Sequence, residues 1–77
     1  KSESFLMLDF EDNCRLYFRG EPGPAAFIEV KVLGALERAH CEKMTAAVTA
    51  VFAEELGIDP GRIYVRYEET EHWGWNF

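Results

Sequence analysis

The sequence predicts an α+β domain, in which a mixed β-sheet has one face covered by a single helix, in the order β-β-β-α-β. Two observations support this prediction. Residues 25–33 and 62–67 alternate in polarity, as half-buried strands do. Between them, apolar residues recur at steps of three and four from about Glu37, which is the helical period. A chain of 77 residues makes one small domain, predicted to span residues 1–77.

The first two strands are predicted near the start of the chain. Residues 5–10, FLMLDF, are nearly all apolar and predict a buried strand. Residues 11–13 have turn composition, and residues 14–19 alternate again, which favours a hairpin-like return. Residues 20–24 contain two prolines and two glycines. This composition predicts a loop that joins neither a ladder nor a helix.

The third strand and the helix follow. In residues 25–33 one face is Ala26, Ile28, Val30 and Val32, and the other is Phe27, Glu29, Lys31 and Leu33. The helix should bury one apolar stripe. Its members are Cys41, Met44, Val48, Val51, Phe52 and Leu56. Gly57 has the position of a left-handed helix stop, with Ile58 as its apolar contact. Residues 59–61 should turn the chain.

The last strand, residues 62–67, is the one most closely tied to function. Ile63, Val65 and Tyr67 face one way, and Tyr64, Arg66 and Glu68 face the other. If it neighbours the third strand, the two should be parallel with a right-handed crossover. The outward phenol and guanidinium suit a small anionic ligand. With no family likeness, these two side chains would simply be solvated residues.

Charge and cysteine content exclude several classes of function. The net charge is −6 with no basic cluster, which argues against nucleic-acid and membrane partners. No apolar run approaches the roughly 18 residues of a membrane span, and no signal peptide opens the chain. Two cysteines are too few for a disulfide framework, so a cytoplasmic location is expected. Oligomerisation is the expected support for so small a core.

Other residues admit a chemical and a structural interpretation. His40 and Cys41 with Cys14 and His72 suggest zinc, but their spacing fits no standard site, so packing is the better explanation. The acidic residues 68–71 predict a solvated turn, and Trp73 is predicted to be a core or interface aromatic, as is Trp75. No phosphate loop or nucleophile elbow is present in the sequence.

The last third of the chain carries a family resemblance. IDPGRIYVRYEE followed by WGWNF resembles the C-terminal segment of the macrophage migration inhibitory factor family, in its phenylpyruvate tautomerase branch. AAFIEVKVLG is similar to that family's central strand, and residues 37–57 to its second helix. The resemblance implies a homotrimer around a central sheet barrel, with active sites between subunits. It also implies that this chain matches only the part after the family's first β-α unit, without its N-terminal proline base.

The activity implied by the resemblance is keto–enol isomerisation of an aromatic α-keto acid, with no cofactor and no metal. It needs a base that titrates near neutrality, such as a proline amine in apolar surroundings. The residues that match the family's pocket are Lys1 for the substrate carboxylate, Leu33 as an apolar wall, Tyr64 contributed by the neighbouring subunit, Trp75 and Phe77 as an aromatic wall, and Arg66 where the best-known members have asparagine.

Two further functions are compatible with the same residues. One is a non-catalytic trimeric interaction module, cytokine-like or structural, built on the same fold. The other is a small α+β domain whose exposed strands only oligomerise. An upstream coding segment that begins Met-Pro would favour the enzyme, whereas a different residue there would favour the interaction module.

Overall fold

The structure is a computed structural model that describes residues 6–75. The strands are β1 (Tyr17–Phe18), β2 (Glu21–Pro22), β3 (Ala26–Leu33) and β4 (Ile63–Thr70); the helices are α1 (Arg38–Leu56) and a 3-10 turn, Pro60–Arg62. The strands form two small sheets, β1 with β2 and β3 with β4. The α+β class predicted from the sequence is therefore confirmed.

The centre of the fold is the parallel pair of β3 and β4. Ala26 lies opposite Ile63, and the register continues without a break to Leu33 opposite Thr70. The two strands alternate between half-buried and exposed positions over most of their length. The parallel arrangement and the two-sided pattern predicted for these strands are both confirmed.

The final strand is longer than the sequence predicts. It continues through Glu68 and Glu69 to Thr70, and the amide of Gly34 donates to the Thr70 carbonyl at 2.9 Å. The amide of Leu36 donates to the Glu69 carboxylate. The prediction of a solvated turn over residues 68–71 is therefore wrong for the first three of them. Pairing with β3 outweighs the weak strand preference of glutamate.

Helix α1 packs on the inner face of the strand pair. Its half-buried residues are Cys41, Thr45, Val48, Thr49, Phe52 and Ala53. Three members of the predicted stripe are largely exposed instead: Met44, Val51 and Leu56. The prediction was wrong there because it followed apolar residues alone. The buried stripe includes Thr45, whose hydroxyl is 2.6 Å from that of Tyr67 on β4.

The end of the helix agrees with the prediction. Gly57 has φ 67°, in the left-handed region, and its amide donates to the Ala53 carbonyl at 3.1 Å. Ile58 follows and is the most deeply buried apolar residue of the described chain, at 8% exposure. The Asp59 carboxylate then accepts the amide of Gly61 at 2.8 Å, which closes the turn into β4.

The N-terminal region differs from the prediction. Residues 6–10 form no strand, and Leu6, Met7, Leu8 and Phe10 are exposed. A strand needs a neighbouring edge as well as apolar composition, and within residues 6–75 no strand pairs with this segment. The strand predicted over residues 14–19 is reduced to Tyr17–Phe18.

The short hairpin of β1 and β2 also corrects the prediction of a loop over residues 20–24. Phe18 pairs with Glu21, and Arg19 and Gly20 between them have φ of 55° and 76°. Two positive φ values in a two-residue loop are the signature of a type I′ turn. Pro22 stands one pair further along, opposite Tyr17. Alternate pairs of an antiparallel ladder exchange no hydrogen bonds, so a proline is tolerated there.

Among residues 6–75, no helix combines the length and the apolar character needed to cross a bilayer.

Candidate functional site

The outer face of the β3–β4 pair, opposite the helix, holds the side chains predicted to form a site. The register places Tyr64 beside Phe27 and Arg66 beside Glu29. Tyr64 and Phe27 are 58% and 57% exposed. Tyr64 and Arg66 therefore share one accessible face, as the alternation predicts. We refer to this surface as the outer face.

Three rings form an aromatic cluster at one end of the outer face. The Tyr64 ring lies 5.3 Å from that of Phe18 at 71°, and 6.2 Å from that of Phe27 at 88°. Both contacts have the edge-to-face geometry that aromatic quadrupoles favour. Phe18 belongs to the hairpin and Phe27 to β3. The orientation of the Tyr64 ring thus depends on two separate elements.

Arg62 links the hairpin to the start of β4. Its Nε donates to the Pro24 carbonyl at 2.8 Å, and its Nη2 donates to the Glu21 carbonyl at 3.1 Å. Its guanidinium also lies 5.6 Å from the centre of the Phe18 ring. The planar fork of arginine makes these separate contacts possible from one side chain.

Arg66 is held by two carboxylates. Its Nη1 lies 2.7 Å from Glu68 Oε1 and 3.3 Å from Glu29 Oε2. The hydrogen bond and charge of Glu68 raise the pKa of the Arg66 guanidinium above its usual range. The same contact with Arg66 lowers the pKa of the Glu68 carboxyl. All three side chains are about half exposed, so an incoming anion would compete with Glu29 and Glu68 for this arginine.

Leu33 lies at the far end of the outer face from the aromatic cluster. It pairs with Thr70, whereas Tyr64 pairs with Phe27 at the opposite end of the strands. Thr70 lies six positions after Tyr64 on β4, which corresponds to about 20 Å of extended chain. Leu33 and Tyr64 of a single chain therefore do not line one small pocket.

The remaining predicted residues are only partly covered by the structure. Lys1 and Phe77 lie outside the described residues. Trp75 is 58% exposed and Trp73 is 50% exposed, so neither is a core aromatic of the described chain, and their predicted place in an interface stays a prediction. No group of three or more His, Cys, Asp or Glu side chains in residues 6–75 has the arrangement of a metal site.

Two open concavities of the described chain lie away from Tyr64 and Arg66. One is lined by residues of the hairpin region, among them Cys14, Arg15 and Gly23. The other lies along the helix at Arg38 and Thr45. Tyr64 and Arg66 themselves line neither of these two concavities.

Sequence reasoning missed Phe18, Phe27 and Arg62 as parts of this site. Phe27 could have been included, because it was placed on the same face of its strand as Leu33. Arg62 carries no such signal. Its partners lie about 40 positions earlier in the chain, and only the parallel register, with Ile63 opposite Ala26, brings them beside it.

Comparisons with known proteins agree on one family. The family model described as macrophage migration inhibitory factor (MIF) matches residues 1–77. A crystal structure of Leishmania major MIF2 is similar, with 38% sequence identity and a TM-score of 0.91. That match covers 99% of this chain and 66% of the other, so the residues given span slightly less than two thirds of that relative. The search of curated proteins found no match.

Proposed function

The chain belongs to the macrophage migration inhibitory factor family, and from this premise we propose that it is the C-terminal part of a phenylpyruvate-tautomerase-like enzyme. The complete protein would be a homotrimer that interconverts the keto and enol forms of an aromatic α-keto acid. The family match over residues 1–77 is the observation that carries the proposal.

The layout of the outer face supports a site shared between chains. Leu33 and Tyr64 are two of the described pocket positions implied by the family resemblance, and they lie at opposite ends of the strand pair. A trimer in which the Tyr64 end of one subunit meets the Leu33 end of the next would bring them together. Oligomerisation is thus part of the proposed activity, since one chain alone leaves the pocket divided.

Each residue has a distinct part in the proposed chemistry. The base is assigned to an N-terminal proline encoded upstream of the residues given, whose amine would move the proton between carbon and oxygen. Lys1 and Arg66 are assigned to the substrate carboxylate, which an arginine can bind through two parallel hydrogen bonds. Tyr64, Leu33, Trp75 and Phe77 are assigned to the aromatic end of the substrate. The chemistry so described uses no cofactor and no metal.

The test compares keto–enol conversion of phenylpyruvate by this chain and by the same chain extended with its upstream coding sequence. We expect activity in the extended protein and little or none in the 77 residues. Replacing the first proline of the extended protein with glycine should abolish the activity, because the base is lost. Activity that is unchanged by this replacement would contradict the proposed mechanism.

A second candidate function is a non-catalytic trimeric interaction module, and the surroundings of Arg66 favour it. Glu29 and Glu68 already balance the charge of this arginine. A substrate carboxylate must displace at least one of them, which weakens binding. In the interaction module, by contrast, the three charges would be a surface pattern with no ligand.

Arg66 also discriminates between the two functions. In the enzyme, Arg66→Ala should raise the KM for phenylpyruvate about 10-fold or more, since hydrogen bonds to charged groups contribute about 1.5–3 kcal/mol. Arg38→Ala is the matched control, because Arg38 also pairs with a glutamate, Glu42, but on the exposed helix. An extended protein that forms a trimer yet shows no activity in any variant would support the interaction module.

A further inference from the structure

We propose that Arg62 is a positioning residue that holds Phe18 against Tyr64 and so fixes the orientation of the pocket tyrosine. The inference rests on the proposed function for the role of Tyr64 as a substrate wall. The ring arrangement itself belongs to the structure and can be tested without activity.

Arg62 holds the hairpin of β1 and β2 in place. The pair of β1 and β2 is only two residues long on each side, and an isolated hairpin of this size is not stable in water. Arg62 donates two hydrogen bonds to this region, one to the Glu21 carbonyl in β2 and one to the Pro24 carbonyl in the loop after β2. These bonds attach the hairpin to β4 through a single side chain.

The hairpin in turn contacts the tyrosine. Phe18 is the hairpin residue whose ring meets Tyr64, at 5.3 Å between ring centres. Arg62 ends the 3-10 turn two positions before Tyr64 of β4, and Phe18 contacts both side chains. When Arg62 releases the hairpin, the Tyr64 ring loses its contact with Phe18 and keeps its contact with Phe27.

Arg19 provides a matched control within the same cluster. Its guanidinium lies 5.4 Å from the centre of the same Phe18 ring, almost the same distance as that of Arg62. The contacts described for Arg19 do not include the two carbonyl hydrogen bonds that Arg62 makes. A loss caused by removing positive charge near Phe18 should therefore appear in both variants, whereas loss of the hairpin attachment should appear only for Arg62.

The experiment uses the protein extended by its upstream coding sequence and measures two quantities. The first is the nuclear Overhauser effect between the Phe18 and Tyr64 rings, which reports their contact. The second is the kinetics with phenylpyruvate. In Arg62→Ala the ring contact should be lost and the KM should rise about 2- to 10-fold, the range expected for one aromatic contact. The kcat should change less than the KM, and Arg19→Ala should leave both close to wild type.

Three further variants separate positioning from general stability: Phe18→Leu, its combination with Arg62→Ala, and Arg62→Lys. Phe18→Leu removes the ring but leaves the Arg62 hydrogen bonds to the backbone in place, and it should reproduce the rise in KM even if Arg62→Ala does not fold. The double variant should be no worse than the more affected single variant, because both act on one contact. Arg62→Lys keeps a cation and a donor and should recover part of the affinity.

Several outcomes would overturn the inference. Ring contact that persists in Arg62→Ala shows that another group holds Phe18. If the ring contact is lost with no change in KM, the orientation of Tyr64 does not affect substrate binding. Additive effects in the double variant would show that Arg62 and Phe18 act independently. If no extended protein has activity, the proposed function fails, while the ring-contact measurement still decides whether Arg62 positions Tyr64.

Discussion

Tyr67 shows how one polar atom joins the helix to the sheet. Its hydroxyl donates to the Cys41 carbonyl at 2.9 Å and lies 2.6 Å from the hydroxyl of Thr45, so β4 is tied to two successive turns of α1. Its position on the inner face follows from the strand alternation. Its partners do not, because a tyrosine on a half-buried face is equally compatible with purely apolar packing.

Tyr67→Phe should destabilise the fold by about 1 kcal/mol, because it removes the hydroxyl from part-buried hydrogen bonds without changing the ring. Urea unfolding followed by circular dichroism measures the difference. Tyr64→Phe is the control, since it removes the same atom from the exposed face of the same strand. Equal losses in the two variants would show that the Tyr67 hydrogen bonds add nothing specific.

The contact between Arg66 and Glu68 should make stability depend on pH in the acid range. Arg66 lowers the pKa of Glu68 below its ordinary value of 4.5, so folding favours the charged carboxylate. This contribution is fully present above the ordinary value and is lost as the pH falls through the lowered pKa of the folded state. Stability therefore decreases on acidification, as it does for any carboxyl group whose pKa is lower in the folded state than in the unfolded state.

We therefore expect Glu68→Gln to be less stable than wild type at pH 7, with a difference that shrinks as the pH falls below 4.5. Urea unfolding of both proteins across this range measures the difference, and a proton titration of the Glu68 carboxyl reports its pKa directly. A difference that stays constant, or grows on acidification, would contradict the assignment of Arg66 as the cause.

At the scale of elements, the sequence pattern predicts some features of helix α1 and misses others. Its extent, its glycine stop and its packing against the strands were predictable from the apolar period and from Gly57. The identity of the buried face was only partly predictable. Thr45 and Thr49 are half-buried and Val51 is 55% exposed, because the hydroxyl of Thr45 has a partner on β4 that the helix sequence alone does not reveal.

Val48 and Val51 test this orientation directly. Val48→Ala should destabilise the fold by about 1 kcal/mol, since it removes half-buried methyl groups facing the strands. Val51→Ala should change stability by no more than about 0.5 kcal/mol, as for other surface substitutions. Thermal or urea unfolding compares the pair. The reverse order would mean that the predicted apolar stripe, with Val51 inward, describes the helix better.

The strands divide in the same way. β3 and β4 were predictable because each combines alternation with β-branched residues, and because a helix between two strands favours a parallel pair. The N-terminal apolar run was not a reliable signal, since strand formation in residues 6–10 depends on a partner edge. The hairpin was not predictable because Pro22 indicates a loop. The contact between Phe18 and Arg62 could be predicted only from the register of the sheet.

At the scale of the whole molecule, no helix covers the outer face within residues 6–75, and Phe18 of the hairpin contacts it at one end. Parallel strands are normally buried on both faces, yet Phe27 and Tyr64 are more than half exposed in the single chain. The helix occupies only the inner face. This imbalance is the physical reason to expect association, independent of any family likeness.

We expect the 77-residue chain to associate at micromolar concentration, and Phe27→Asp to weaken that association by placing a charge on the outer face. Sedimentation velocity measures both proteins. Ala50→Asp, on an exposed position of α1, controls for the added charge. A wild-type chain that sediments as a clean monomer, or an Ala50 variant that dissociates equally, would count against the outer face as the contact surface.

The constant register of β3 and β4 has a kinetic consequence. Residue 26 faces residue 63 and residue 33 faces residue 70, so each residue of β3 pairs with the residue 37 positions later in the chain. Strand pairing cannot begin with a small loop and extend, and the entropy of closing this long loop is spent before any ladder contact compensates it. Cleavage of a single peptide bond between β3 and β4 would turn an intramolecular pairing into a bimolecular one. Whether the two strands stay paired after such a cleavage therefore reports on the stability of the whole β3–β4 ladder.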